Sequence, residues 1–306
     1  MMKKILSIIP ILMIVLAMAA PVHAADKVVV ASKIDTEGAL LGNMIILMLE
    51  ANGIATSDKT EFGPTPMVRK AIIAGQIDIY PEYTGNGAFF FDMAGSPVWK
   101  NAKQGYDKVK ALEMENNNIV WLNAAPANNT WAIAVRKDLA AKEGLKTLAD
   151  MAKYVNDGKK FKLAGSEEFV NSPAALPAFQ EAYGFKLGKD QLLTLSGGNT
   201  AMTEKAAAQG QDGVNFAMAY GTDGQLAALG LLVLEDTKSV QPVYLPAPII
   251  RKEVLDKYPN IESILRPVFV SLDIFTLQSL NAAIAVEGQD AGQVAKDYLK
   301  KKGFLK

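Results

Sequence analysis

The sequence predicts an α/β protein built of two lobes with a ligand cleft between them. Short apolar runs alternate with amphipathic ones along the 306-residue chain, a pattern typical of strands followed by helices. No internal repeat, low-complexity tract or long Pro/Ser linker separates two independent halves. We therefore expect a chain that crosses between two α/β lobes more than once, and small ligands bind preferentially in clefts between domains.

The first half alternates strands and helices up to about Pro126. A buried strand in Lys27–Ser32 leads into a helix whose apolar spacing continues until Gly53 ends it. The next segments are a helix, a strand, a helix and a strand, in TPMVRKAIIAGQ, IDIYPEY, GYDKVKALEMENNN and IVWL. This succession predicts one α/β unit.

The second half begins with a strand and a polar helix start in NNTWAIAVRKDLA. A helix, a strand, two helices and a strand follow, in TLADMAKYVNDG, FKLAGS, SPAALPAFQEAYG, TEKAAAQG and GVNFAMAY. A short helix in TDGQLAALG and a strand in LLVLED complete this unit. From Val240 the sequence has turn-like and extended character, and residues 261–303 are predicted to be almost wholly helical.

Residues 1–24 have the layout of a secretory signal peptide. Two lysines precede a long apolar run, and VHA at the end of this segment provides a cleavage site after Ala24. No second apolar stretch follows that could stop transfer, and no cysteine stands at the site to carry a lipid. We expect export and a soluble mature protein beginning near Ala25; a retained N-terminal anchor is the alternative.

Composition argues against several classes of catalytic site. The chain has no cysteine, and its one histidine is His23, inside the segment that we expect to be removed. Neither a Ser-His-Asp nor a Cys-His system can be assembled without these residues, and zinc sites almost always use them. An all-carboxylate calcium site stays open as an alternative, although no calcium-loop motif is present. We expect no metal and no cofactor. The enzymatic alternative is a hydrolase that uses a serine with Lys33, or the paired acids Glu167 and Glu168, although adjacent acids usually face apart.

The charge balance favours a small-molecule partner over a polymeric one. The 32 basic residues equal the 32 acidic ones, and the sequence contains no basic stripe. We therefore expect neither nucleic acid nor an anionic membrane surface as a partner.

Four aromatic residues stand near the ends of predicted strands. Tyr83 follows IDIYPE, Tyr220 ends NFAMAY, Tyr244 lies in QPVYLP, and Trp131 stands near the start of TWAIAVR. Ligands of open α/β sheets bind outside the carboxyl ends of the strands. The glycine-containing turns TGNG and GTDG follow two of these residues and allow the backbone to approach a ligand.

Each of these residues also has a structural explanation. A tyrosine at a strand end is more often a partly buried residue of the core or rim than a ligand contact. Tyr80 and the run Phe89–Phe91 are expected to pack in the core, because successive strand residues face opposite sides. Lys33 and Asp35 could be loop charges or residues of a helix start. Spacing alone therefore predicts a two-lobed solute-binding protein without specifying its ligand.

Six segments in collinear order resemble one known family. They are SKIDTEGALLGN, AGQIDIYPEYTGNGAFFF, PANNTWAIAVR, AMAYGTDGQLAALGL, QPVYLPAPIIR and LNAAIAVEGQDAGQVAKDYLKKKG. The resemblance is to the periplasmic osmoprotectant-binding components of ABC importers, the glycine betaine/choline/proline betaine family, and especially its low-affinity, stress-linked enterobacterial branch.

The resemblance implies a two-lobed type II periplasmic-binding-protein fold with an interlobe ligand cleft. It implies one lobe from residues 25–127 with 242–306 and a second from residues 128–241. The implied protein is a periplasmic monomer that binds a quaternary-ammonium osmolyte and delivers it to a membrane permease and ATPase. It uses no cofactor and is not an enzyme.

In this family, four aromatic rings surround the trimethylammonium group. Carried over by motif, the residue after YPE is Tyr83, the aromatic residue of NNTWAIAV is Trp131, and the tyrosines of AYGTDG and QPVYLPAP are Tyr220 and Tyr244. Trp131 stands where tyrosine is more common and provides a larger ring. The resemblance therefore implies a complete aromatic cage.

The residues implied to hold a ligand carboxylate depart further from the family. Lys33 matches the lysine after the first strand, Asn86 replaces a frequent threonine, and Asn129 falls where an acid is common. Ser172 occupies the place of a carboxylate-clamping arginine. We therefore expect weak binding of glycine betaine, with choline or another carboxylate-poor quaternary amine as the alternative ligand. A sensor built on the same scaffold is the alternative to transport.

Overall fold

Ten strands form two five-stranded sheets in the computed structural model, which describes residues 27–196 and 200–306. The signal peptide expected over residues 1–24 lies outside the described residues. In chain order the strands are β1 Val28–Lys33, β2 Thr56–Gly63, β3 Ile79–Tyr83, β4 Ile119–Trp121, β5 Trp131–Arg136, β6 Leu163–Ser166, β7 Leu192–Leu195, β8 Phe216–Tyr220, β9 Leu231–Val233 and β10 Pro246–Arg251.

Helices connect and cover these strands. In chain order they are α1 Thr36–Ala51, α2 Thr65–Ile73, α3 Gly87–Phe90, α4 Ala102–Asn117, α5 Lys137–Glu143, α6 Leu148–Asn156, α7 Glu167–Asn171, α8 Leu176–Tyr183, α9 Thr200–Gln209, α10 Gln225–Ala228, α11 Lys252–Lys257, α12 Ile261–Val270, α13 Ile274–Ala285 and α14 Ala291–Lys301.

The first sheet has the strand order β2-β1-β3-β10-β4, and we call it, with its helices, the first lobe. β1 pairs in parallel with β2 and β3, whereas β10 runs antiparallel to β3 and β4. One face packs against α1, α12, α13 and α14 and the other against α2 and α4, so both faces are buried.

The second sheet has the order β7-β6-β8-β5-β9 and forms the second lobe with α5 to α10. β6 pairs in parallel with β7 and β8, and β5 runs antiparallel to β8 and β9. Each sheet therefore contains one antiparallel strand that the chain adds after crossing from the other lobe. The prediction of two lobes with repeated crossing is confirmed.

Two segments connect the lobes, one between β4 and β5 and the other between β9 and β10. They are bonded to each other: the Asn129 N–H donates to the Tyr244 carbonyl at 3.0 Å, and the Tyr244 N–H donates to Asn128 Oδ1 at 2.8 Å. The Thr130 hydroxyl donates to the Pro242 carbonyl at 2.9 Å. The expected lobe boundaries, after residues 127 and 241, fall within these segments and remain a prediction.

The start of α1 is fixed by its own residues and by close packing on β1. Asp35 caps the helix, its side chain accepting the Gly38 N–H at 2.8 Å. A Cβ at Gly38 would lie 2.7 Å from the Lys33 carbonyl oxygen, so the absence of a side chain lets the helix approach the end of β1. This approach brings the first turn of α1 to the edge of the sheet where Lys33 ends β1.

Some elements were not predicted from the sequence. β2 and β7 are edge strands, and no strand was expected from their sequences. The run Phe89–Phe91, which strand alternation led us to expect in the core, instead lies in and just after α3, a single helical turn. Within the described ranges no single helix is long and apolar enough to span a membrane; α12 and α13 meet the length and composition test only as a pair bent by 90°.

Candidate functional site

A cleft of about 960 Å³ lies between the two sheets. Its walls come from the strand ends and following turns of both lobes and from the connecting segments. Seven of the eight predicted site residues line it: Lys33, Tyr83, Asn86, Asn129, Trp131, Tyr220 and Tyr244. The structure therefore brings the four aromatic residues to one opening between the lobes.

Trp131 and Tyr220 form the aromatic wall of the second lobe. They are directly opposite each other in the antiparallel β5–β8 pair, which places their side chains on the same face. Their rings are nearly parallel, with an interplanar angle of 18° and centroids 6.5 Å apart, and Trp131 Nε1–H donates to the Tyr220 hydroxyl at 2.9 Å. Phe169 meets Trp131 edge-on at 6.1 Å. The two rings thus form one fixed surface.

Tyr83 and Tyr244 come from the first lobe, where the end of β3 meets the start of β10. The Thr84 hydroxyl links these segments, donating to the Val243 carbonyl at 2.9 Å and accepting the Leu245 N–H at 3.0 Å. A Cβ at Gly85 would lie 2.6 Å from the Tyr244 ring, so glycine is needed for the ring to sit against this turn. Burial, with Tyr220 and Glu82 nearby, raises the pKa of Tyr244 to about 12, and its hydroxyl stays neutral.

Lys33 is bound by a buried carboxylate. Its Nζ lies 2.5 Å from Glu82 Oε1, and both side chains are almost inaccessible. The same carboxylate accepts the Tyr80 hydroxyl at 2.9 Å, the Tyr83 N–H at 2.7 Å and the Asn86 amide at 2.8 Å. The Lys33 ammonium also lies 4.5 Å from the centroid of the Tyr83 ring. The positive charge expected to hold a ligand carboxylate is therefore neutralised by the protein.

Glu37 joins several segments at the inner end of the cleft. It accepts the Tyr83 hydroxyl at 2.7 Å, the Asn281 amide at 2.7 Å and the Asn129 amide at 3.3 Å. The Thr222 side chain of the second lobe also hydrogen-bonds to it. Burial raises the pKa of Glu37, and these donors only partly offset that effect. One carboxyl group therefore contacts side chains of both lobes.

The cleft is acidic in composition. Among its described lining residues, Lys33 is the basic side chain, and no arginine is present. The acids that line it are Asp35, Glu37, Glu168 and Asp223. Nowhere in the described ranges do three or more His, Asp or Glu side chains cluster so that they could hold a metal ion.

Two sequence-based expectations differ from the structure. Ser172 is not among the lining residues; it ends α7, and its hydroxyl accepts the Ala174 N–H at 3.4 Å. Phe89 does not pack in the core but is 63% exposed and lines the cleft, because α3 turns its side chain outward. Tyr80 and Phe91 do pack with the core of the first lobe.

Sequence reasoning missed the buried acids of the site. Glu82 stands inside YPEY, in a strand whose five residues are all buried, and a carboxylate in such a strand requires a partner. That signal could have revealed the Lys33 pair. Glu37 and Asn281 are 244 positions apart, so no local pattern connects them.

The sequence was compared with models of known protein families. Residues 26–301 match the family described as the substrate binding domain of ABC-type glycine betaine transport systems. The chain belongs to this family. Because the family consists of substrate-binding domains of transporters, the chain is a binding protein and not an enzyme.

Individual members of the family are similar over nearly the whole chain. The glycine betaine-binding protein YehZ of Escherichia coli (strain K12) is 59% identical over 295 residues, 96% of this chain and 97% of the relative. A glycine-betaine-binding protein of Pseudomonas aeruginosa is 30% identical over 94% of this chain and 91% of its own. The solved structure of apo YehZ from E. coli has a TM-score of 0.85 at 61% identity and covers 92% of this chain and 100% of that one. The two-lobed binding-protein fold is thus confirmed.

Proposed function

We propose that the chain is the periplasmic solute-binding component of an ABC importer for a quaternary-ammonium osmolyte, with glycine betaine as its ligand. The observation that carries this proposal is the convergence of Tyr83, Trp131, Tyr220 and Tyr244 on one interlobe cleft. The names of the E. coli and P. aeruginosa relatives, both glycine betaine-binding proteins, support the same ligand.

Aromatic rings suit this ligand for a physical reason. A quaternary ammonium has no N–H to donate, so hydrogen-bond acceptors cannot hold it specifically, whereas ring faces attract its diffuse positive charge. Each such contact contributes ~0.5–2 kcal/mol when water is excluded. Four faces therefore supply several of the ~8 kcal/mol that micromolar affinity requires.

The carboxylate end of glycine betaine is expected to be held weakly. Lys33 already contacts Glu82 at 2.5 Å, and the cleft lining described above contains no arginine. A ligand carboxylate must share the Lys33 ammonium with Glu82. It is also repelled by the negative charges of Asp35 and Glu168 in the cleft lining. Choline has no carboxylate, so it neither competes with Glu82 for Lys33 nor is repelled by Asp35 and Glu168. Choline is therefore the second candidate ligand.

Binding is expected to close the lobes. Glycine betaine is small compared with a cleft of about 960 Å³, so we expect the walls to approach each other when rings of both lobes bind it. The two bonded connecting segments would serve as the hinge, with lobe boundaries after residues 127 and 241. We further propose that the protein is exported after cleavage near Ala24, acts as a monomer and delivers its ligand to a membrane permease.

Calorimetric titration with glycine betaine and with choline tests the proposal. Trp131→Ala and Tyr220→Ala should abolish binding of both amines, while the far-UV spectrum and the melting curve show that both variants remain folded. Phe275→Ala is the matched control, because this aromatic side chain is 77% exposed and does not line the cleft. Normal binding by the two cleft variants would refute the cage, and no binding of either amine by the wild type would refute the ligand class.

The same titrations decide between the two ligands. Weak glycine betaine binding together with tighter choline binding is the result expected if the Lys33–Glu82 pair limits carboxylate recognition. Sub-micromolar glycine betaine affinity with no response to choline would show that Lys33 is released to the ligand. Trp131 fluorescence gives a second readout, since Trp99 and Trp121, the other two tryptophans, are fully buried in the core.

A further inference from the structure

A buried pair of carboxyl groups lies behind the aromatic wall of the second lobe. Glu204 on α9 is completely inaccessible. Within the described ranges, no N–H or O–H donates to either of its oxygens with the geometry of a formed hydrogen bond. The side chain that lies against it is Asp223, in the turn after β8, and the Gln225 amide approaches more loosely.

Asp223 in turn holds the backbone at Tyr220. Its Oδ2 accepts the Tyr220 N–H at 2.7 Å, and the Thr200 side chain also bonds to it. Asp223 therefore closes the turn that follows β8 and contributes to the cleft lining. The Asp223 carboxylate is therefore bonded directly to the backbone of a residue of the aromatic wall.

Two carboxyl groups in contact and out of water cannot both be ionised. A proton on one Glu204 oxygen would donate to Asp223 and would give that oxygen the partner that it lacks. Burial first, and the Asp223 charge second, raise the pKa of Glu204 to about 10. Burial also raises the pKa of Asp223.

No other charged group competes for this pair in the described structure around α9. The helix packs against β5, β6, β8, α10 and the turn Gln211–Gly213. The charged residue of that turn, Asp212, lies beyond the C-terminal end of α9, and Lys205 on α9 itself is exposed. β6, β8 and α10 carry no acid and no basic residue. Arg136 at the end of β5 lies beside Gly210, at the opposite end of α9. Glu168 acts on Tyr220 from the cleft side. Asp223 is therefore the charged neighbour that the buried Glu204 carboxyl group meets in this part of the described structure.

We propose that Glu204 is a positioning residue for the ligand cage: as a neutral acid it donates a hydrogen bond to Asp223 and thereby fixes the turn that carries Tyr220. The proposal deepens the function proposed above and rests on it where ligand affinity is concerned. Glu204 does not line the cleft and acts on the ligand only through Asp223 and Tyr220.

Two substitutions at this position separate the hydrogen bond from simple space filling. E204Q keeps a donor toward Asp223, so its affinity for glycine betaine and for choline should stay within about twofold of wild type. E204L keeps bulk but removes the donor, and affinity should fall about tenfold or more, as expected for losing a bond to a charged group. Lys205→Gln, at the exposed neighbouring position, is the matched control and should bind like wild type.

The pH profile gives a readout that packing alone would not change. Wild-type affinity should fall as the pH approaches 10, while E204Q should keep its affinity over the same range. The proposal would be overturned if E204L bound the ligands with the affinity of wild type. It would also be overturned if the affinities of E204Q and wild type had the same pH dependence. If E204L does not fold, the comparison of E204Q with wild type still decides it.

Carboxyl ¹³C NMR of the ligand-free protein tests the pair without any ligand. The Glu204 side-chain carbon should have the shift of a protonated acid at pH 7 and should titrate only in the alkaline range. A carboxylate shift at pH 7 would overturn the proposal. Because this measurement is independent of binding, a wild type that bound neither amine would count against the proposed function and not against the shared proton.

Discussion

Replacing Glu204 by glutamine is expected to stabilise the ligand-free protein at pH 7 and to flatten the dependence of its stability on pH. The pKa of Glu204 is raised from its ordinary value of 4.5 to about 10. The folded protein therefore keeps a proton that the unfolded chain releases above pH 4.5. The contribution of Glu204 to the free energy of unfolding is complete below pH 4.5 and is lost progressively as the pH rises toward 10.

The size of the effect follows from the pH interval. Each pH unit between the two pKa values lowers the free energy of unfolding by ~1.4 kcal/mol. At pH 7, far below the folded-state pKa, the loss relative to pH 4.5 is ~3 kcal/mol, and it does not depend on the upper value. Glutamine cannot ionise, so E204Q escapes this loss while it retains the hydrogen bond to Asp223.

Urea denaturation of wild type and E204Q at several values between pH 5 and pH 8 provides the measurement. The difference between the two proteins should grow with pH, reaching ~3 kcal/mol near pH 7. Glu181→Gln, the same substitution at an exposed position of the second lobe, is the control and should leave the wild-type dependence unchanged. An E204Q protein that is less stable than wild type at pH 7, or a constant difference across the pH range, would refute the reasoning.

Three other substitutions test the geometry of the cleft. Gly85→Ala places a carbon 2.6 Å from the Tyr244 ring, so the ring must move; stability should fall by ~1–3 kcal/mol in thermal melts, and calorimetry should show weaker ligand binding. Lys33→Met leaves Glu82 buried without its ammonium and should cost ~3–5 kcal/mol in urea denaturation, most of it restored by adding Glu82→Gln. Trp131→Phe keeps a ring but loses the donor to the neighbouring tyrosine hydroxyl, so calorimetry should show ~1 kcal/mol weaker binding, a smaller loss than in Trp131→Ala. These expectations would be contradicted if Gly85→Ala left stability unchanged, or if adding Glu82→Gln to Lys33→Met restored no stability. Equal losses of affinity in Trp131→Phe and Trp131→Ala would contradict the third.

Sequence patterns predicted the interior strands of both sheets because those strands must be apolar on both faces. β1, β3, β5 and β8 are almost entirely buried, and each carries a run of apolar residues that a helix or loop does not require. β2 has only β1 as a neighbour, and its sequence TSDKTEFG is mostly polar because much of it faces water. β7 has four residues, mostly half-buried, too few to show a period. The polar edge strand β2 and the short edge strand β7 therefore left weak sequence signals, whereas the apolar edge strands β4 and β9 were predicted.

The position of the aromatic residues and of Lys33, Asn86 and Asn129 in the cleft was predictable, whereas the partners that the charged residues find in the fold were not predicted. Tyr83, Trp131, Tyr220 and Tyr244 stand at strand ends, where α/β topology collects side chains at one edge. The charges are different because their state depends on partners that are distant in sequence. Nothing near Lys33 indicates that Glu82, 49 positions later, will neutralise it.

The paired connections between the lobes have a practical consequence for following the motion. Because the two connecting segments are hydrogen-bonded to each other, the lobes should rotate about a single axis rather than twist independently. One dye on each lobe would then report the whole opening angle as a single distance. The chain contains no cysteine, so two introduced thiols would be the sole labelling sites, and single-molecule energy transfer could record opening and closing in the native protein.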